Sequence, residues 1–122
     1  MGTALHEIDE RTNLTASNKF ELLLFRLGEA PGTDHHELFG INVFKVREIL
    51  VMPTITAVAN AHSSVMGIAN IRGQIITVIN LPKVVGCVPK KSTPILLVTE
   101  YARSTQAFAV EEVSEIIRLE WN

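Results

Sequence analysis

Thirteen acidic side chains, four histidines and one cysteine are the groups in this 122-residue sequence that could move protons, ligate a metal or act as nucleophiles. Acid–base and triad chemistry needs carboxylates held in a cleft beside a base. Asp9 and Asp34 fall in polar stretches, and no spacing assembles a core Ser-His-Asp set. Glu111 and Glu112 are adjacent, but neighbours on a strand point to opposite faces, and a solvated turn is their expected setting. His35 and His36 are consecutive, and His6 and His62 lie far away. None has the i, i+4 spacing that directs two imidazoles at one metal. Cys87 follows Gly86 without a CxxC partner and is expected as a small buried hydrophobe. No GxGxxG or GxxxxGKS/T run is present to cradle a phosphate. These residue types argue against an enzyme and against a bound metal or cofactor.

The distribution of charge is more informative. Between positions 49 and 82 the only formally charged side chain is Arg72, in a stretch of Val, Ile, Ala, Thr, Met, Gly and Asn. A solvated face is not built that way, so the segment is expected inside the fold or against a partner. Arg72 falls on a tight turn, Asn70-Ile71-Arg72-Gly73, where it is either exposed at a hairpin tip or paired with a carboxylate. Glu48, between Val46 and Ile49 in an otherwise apolar run, is the nearest candidate. Such a pair is either purely structural or an interface anchor.

The elements that must position these two residues read as β-structure. Residues 20–27 form a candidate buried strand, 28–37 a polar hairpin loop, 38–43 and 46–52 two further strands, and Pro53 ends the last of them. Residues 54–64 read as a loop, with a helical turn over 62–65 stopped by Gly67. A tight hairpin follows, with strands at 68–71 and 75–79. Asn80 is placed to cap a short helix, with Pro82 in its first turn and Gly86 as its stop. After a linker at 89–94 the pattern restarts, with an apolar strand at 95–100, a polar turn at 102–106 and a run over 108–119. Sliding the chain by 67 positions sets Ile41, Val43, Val46, Glu48 and Ile49 over Phe108, Val110, Val113, Glu115 and Ile116, which points to a duplication. The first 18 residues, with Leu5, Ile8 and Leu14 at rough helical spacing, read as a short helix or arm.

Composition narrows the classes further. A formal charge of −2 offers no basic footprint for nucleic acid or anionic lipid, and aromatic residues at 6% supply no stacking row. The longest apolar runs are four residues, whereas a spanning helix needs about 20. One cysteine excludes an intrachain disulfide and fits a reducing compartment. A small β-barrel that binds nucleic acid or peptide is the alternative from a different class.

The runs Val46-Arg47-Glu48-Ile49, then Gly67-Ile68-Ala69-Asn70-Ile71-Arg72-Gly73, then Ile75-Ile76-Thr77-Val78-Ile79-Asn80-Leu81 resemble the signature of the CheW-like domain of bacterial chemotaxis coupling proteins. The likeness runs from about Phe20 to Trp121. The stretches ELLLFRL, FGINVFKVREIL and VTEYARSTQAFAV look particularly like the CheV type, which carries a receiver domain after its CheW-like part. The resemblance implies an all-β fold of two five-stranded SH3-like barrels sharing a hydrophobic junction. It also implies a non-enzymatic scaffold, without cofactor, that links the cytoplasmic tips of chemoreceptors to the regulatory domain of the histidine kinase CheA. It places the contacts at Val46, Glu48, Gly67, Asn70, Arg72 and Gly73, with Ile71 where the family usually has Leu.

On this reading, residues 1–18 precede a CheW-like domain at 19–122, the receiver domain is absent, and the second copy is incomplete at the C-terminus. Neither nucleic acid nor the bilayer itself is an expected partner, and the expected location is the cytoplasm beside receptor arrays. An unpaired edge strand over 108–119 is expected, open to pairing with a second copy of the chain.

Overall fold

A computed structural model describes residues 19–30, 32, 36–89, 92–101 and 103–120. The expected N-terminal helix or arm lies outside them. The chain runs β1 (Lys19–Glu29), β2 (His36–Asn42), a single 3-10 turn (Val43–Lys45), β3 (Val46–Val51), β4 (Val65–Ile71), β5 (Gln74–Asn80), α1 (Leu81–Val85), β6 (Ile95–Tyr101), β7 (Ser104–Val110) and β8 (Glu112–Glu120). Short β-branched runs broken by turn residues account for the strands. The Asn80 side chain accepts from the Lys83 N–H at 3.2 Å, Pro82 occupies the first turn of α1, and Gly86 caps its end. The helical turn expected over 62–65 is a single hydrogen-bonded turn, in which the Val65 N–H donates to the His62 carbonyl at 2.9 Å, and Val65 already belongs to β4.

The strands form a three-stranded sheet, β2-β1-β8, and a five-stranded sheet, β3-β6-β7-β5-β4. The duplication is written into their registers. Across β3 and β6, Glu48, Ile49 and Leu50 face Val98, Leu97 and Leu96; across β8 and β1, Glu115, Ile116 and Ile117 face Leu24, Leu23 and Leu22. The offset of 67 that separates β3 from β8 is thus matched by an offset of 74 between β1 and β6. Even the bulges correspond, with Arg47 and Ser114 the extra residues. Each copy donates its third strand to the first strand of the other, so the two halves are interleaved.

Two cores result. One fills the curled five-stranded sheet with Ala69, Ile71, Ile76, Val78, Leu96, Val98 and Ala107, joined by Leu50, Met52, Ile55 and Met66. The other lies against the three-stranded sheet, with Leu23, Phe25, Leu27, Cys87, Leu97 and Val110, joined by Phe39, Ile41, Val43 and Val46. The rings of Phe25 and Phe39 stack there at 6.0 Å. Strand β6 serves both, with Leu96 and Val98 on one side and Leu97 on the other, which is why 95–98 shows no polar alternation. These are the two SH3-like subdomains, with five strands in one sheet and three in the other among the described residues.

The edge expectation needs correcting. Phe108 lies in β7, an interior strand bonded to β6 and, in parallel, to β5, because its apolar residues are wanted between two neighbours. Only the later part of that stretch, β8, is an edge; β2 is the other edge of its sheet.

Candidate functional site

The five-stranded sheet curls until its two edges, β3 and β4, come face to face. At one end of this seam Thr56, just beyond β3, exchanges backbone hydrogen bonds with Ile68 of β4 at 2.9 and 2.8 Å. At the other end a side-chain pair spans the gap. Arg72 Nε donates to both carboxylate oxygens of Glu48, at 3.1 and 3.0 Å, and Arg72 Nη2 lies 3.0 Å from Glu48 Oε1.

The turn that presents Arg72 is a two-residue hairpin between the paired residues Ile71 and Gln74. Its central residues both have positive φ, 52° at Arg72 and 83° at Gly73, as such a connection requires. Glycine takes that conformation freely; arginine does so under strain, which is a feature of positions held by their surroundings. The Asn70 side chain accepts the otherwise idle Gly73 N–H at 2.9 Å and locks the turn. Arg47 adds a second tie, donating from Nη1 to Gln74 Oε1 at 2.9 Å while its Nε sits 3.9 Å from Glu48 Oε2.

Glu48 alternates inward on β3 with Val46 and Leu50, so its side chain is 16% exposed, whereas the Arg72 side chain is 70% exposed. Arg72 is therefore both paired and presented. Below the pair, Leu50, Val51, Pro53, Asn70 and Ile71 line an open groove of about 300 Å³. The hydrogen bond from Arg72, aided by the charges of Arg72 and Arg47 and partly opposed by burial, holds the Glu48 carboxyl below the ordinary glutamate range. The same hydrogen bond, with the Glu48 charge, raises Arg72 further.

A carboxyl depressed by folding contributes stability above its unfolded pKa and loses it as pH falls through its folded value. The pair is therefore expected to persist from neutral pH down past the point where an unfolded glutamate titrates. Carbon-13 titration of the Glu48 carboxyl reads this directly. A midpoint at the unfolded-chain value would show that the pair does not form in solution.

Of the six residues named from the sequence, Glu48, Asn70, Arg72 and Gly73 are brought together at this seam. Val46 is half-buried against the second core, and Gly67 is buried beneath the Thr56 carbonyl. Sequence reasoning missed Arg47 and Gln74 as partners, and Val51 as the groove's rim. The alternation of β3 was the available signal, since it turns Arg47, Ile49 and Val51 outward together. Glu111 is not on a solvated turn: it is 6% exposed at the bend between β7 and β8, where its N–H bonds the Arg26 carbonyl and ties the bend to β1. Glu112 is exposed on β8.

Cys87 is buried in the second core, and burial, then the charge of Glu37, pushes its thiol pKa up. Exposed His62 pairs locally with Ser64, at 2.8 Å between Nδ1 and Oγ. His6 and His35 lie outside the described residues. Among the described residues no three metal-ligating side chains converge, and no helix is long and apolar enough to cross a membrane.

The CheW-like domain family matches residues 21–122. The chain is 33% identical to the chemotaxis protein CheV3 of Helicobacter pylori over 108 residues, covering 85% of this chain and 35% of that protein. It is 28% identical to a probable chemotaxis protein CheW of Rhizobium etli over 99 residues, covering 80% and 59%. The crystal structure of the scaffolding protein TtCheW from Thermoanaerobacter tengcongensis superposes with a TM-score of 0.72 at 26% identity, covering 83% of this chain and 66% of that one. The chain thus spans between about a third and two thirds of the length of these relatives. With its interleaved β-subdomains, its Glu48–Arg72 seam and a match over nearly all its described residues, the chain belongs to the CheW-like domain family.

Proposed function

We propose that this chain is a chemotaxis coupling module that joins the cytoplasmic tips of chemoreceptors to the regulatory domain of the histidine kinase CheA. It works by binding, without catalysing a reaction, in the cytoplasm beside receptor arrays. The observation that carries the reading is the turn itself. A strained arginine, fixed by Glu48 and Asn70 yet largely open to solvent, sits where the family signature lies. Stabilising a lone ion pair does not require a hairpin tip with so much of the guanidinium exposed. Relatives named as chemotaxis and scaffolding proteins support the same role. A net charge of −2 and an aromatic content of 6% supply neither the overall basic footprint nor the stacking residues that nucleic-acid binding would call for.

Arg72→Asn suits the left-handed turn while removing the guanidinium, and Glu48→Gln keeps the shape while removing the charge. Each is expected to weaken co-sedimentation with receptor arrays and kinase by ~10-fold or more, as loss of an interface anchor does. The unfolding midpoint should stay near that of the native chain, because the guanidinium half of the pair is open to solvent and ion pairs at such a surface contribute little to stability. Undiminished association of both variants would overturn the proposal.

A further inference from the structure

The groove between β3 and β4 has features that select its guest. Leu50, Pro53 and Ile71 give it apolar walls, and Val51, 80% exposed, stands at the rim. Above the groove two guanidinium groups share one carboxylate, since Arg72 is bonded to Glu48 and Arg47 lies 3.9 Å from it. These three side chains sum to one positive charge, and no other formally charged residue falls between positions 49 and 82. Arg72 spends Nε and Nη2 on Glu48, while Nη1 makes no hydrogen bond to the described residues. A guanidinium with spare donors beside apolar walls is suited to a carboxylate carried next to an apolar side chain. A basic guest would meet repulsion from both arginines.

We infer that the groove takes an apolar side chain from a partner segment that carries a carboxylate beside it. The apolar group rests on Leu50 and Ile71, and the carboxylate meets the free side of Arg72. The inference rests on the coupling reading for the existence of a partner, and adds the chemistry by which that partner is recognised.

Random twelve-residue peptides displayed on phage, selected on the full chain and counter-selected on Val51→Arg, provide the test. Val51 is exposed enough for that substitution to leave the fold in place, and Arg72→Asn is a second, independent counter-target. The expected winners carry Leu, Ile, Met or Phe within two positions of Asp or Glu, are lost on both variants, and bind ~10-fold more weakly when the acid becomes its amide. Enrichment of basic peptides, binding indifferent to the acid, or no peptides that distinguish native chain from variants would overturn the inference. If native chain co-sediments with receptor and kinase but the peptides lack the acid, this inference alone fails. If the acidic–apolar preference appears without co-sedimentation, the coupling reading alone fails.

Discussion

Gly67→Ala is expected to destabilise the chain by about 4 kcal/mol, from backbone strain and overpacking together. Gly67 has a φ of 148°, a region that only glycine occupies freely. A Cβ built there would lie 2.2 Å from the Thr56 carbonyl oxygen and 2.9 Å from Ile55 Cγ2. The first of these neighbours is backbone, and it belongs to the Thr56–Ile68 bridge that closes the seam. Relief can come only by opening that bridge, which also lifts Ile55 from the first core. Such a loss is a large share of the 5–15 kcal/mol that holds a typical domain. Urea unfolding measures it, and amide exchange at Thr56 and Ile68 should accelerate ahead of exchange elsewhere. A variant within 1 kcal/mol of native would show that the bridge yields freely. The conclusion bears on function, because a Gly67 variant that fails to couple would do so through a sprung barrel rather than a lost contact.

How far the sequence foretold this arrangement depends on whether the relevant physics is local. Asn80, Pro82 and Gly86 announced α1 because caps act within one turn of chain. Arg72-Gly73 announced its hairpin for the same reason, and one charged residue in an apolar stretch pointed to Glu48. Pairing partners are not local. Nothing in the alternation of β3 says that its neighbour is β6 rather than a strand of its own half, and the exchange of third strands became visible only in the register.

The duplication was half legible for a physical reason. β2 and β3 repeat at 67, but the first hairpin carries seven more residues than the second, so β1 and β6 fall out of step by that amount and a single slide cannot align both. The burial of Gly67, and that of Glu111 where a solvated turn is expected, comes from a distant segment, Thr56 over one and the β1 backbone beside the other, and so leaves no mark on neighbouring positions.

The interleaving makes a second strong prediction, at Leu97. Its side chain is 1% exposed and points into the second core, while Leu96 and Val98 on either side point into the first. Leu97→Ala removes three buried carbons and leaves a cavity between β6 and the three-stranded sheet, which is expected to cost about 3 kcal/mol. The loss should not be shared evenly. Leu23, Phe25 and Val110 surround the cavity, so the docking of β1 and β2 loosens first, whereas Ile76, Val78 and Ala107 keep their packing around the first core. Hydrogen exchange should therefore quicken in β1, β2 and β8 more than in β4 and β5, with the Glu48–Arg72 seam preserved in the native population. Uniform acceleration across both sheets would mean that the subdomains unfold as one unit and that β6 couples them more tightly than a shared strand alone requires. A destabilisation below 1 kcal/mol would contradict the placement of Leu97 in a packed core.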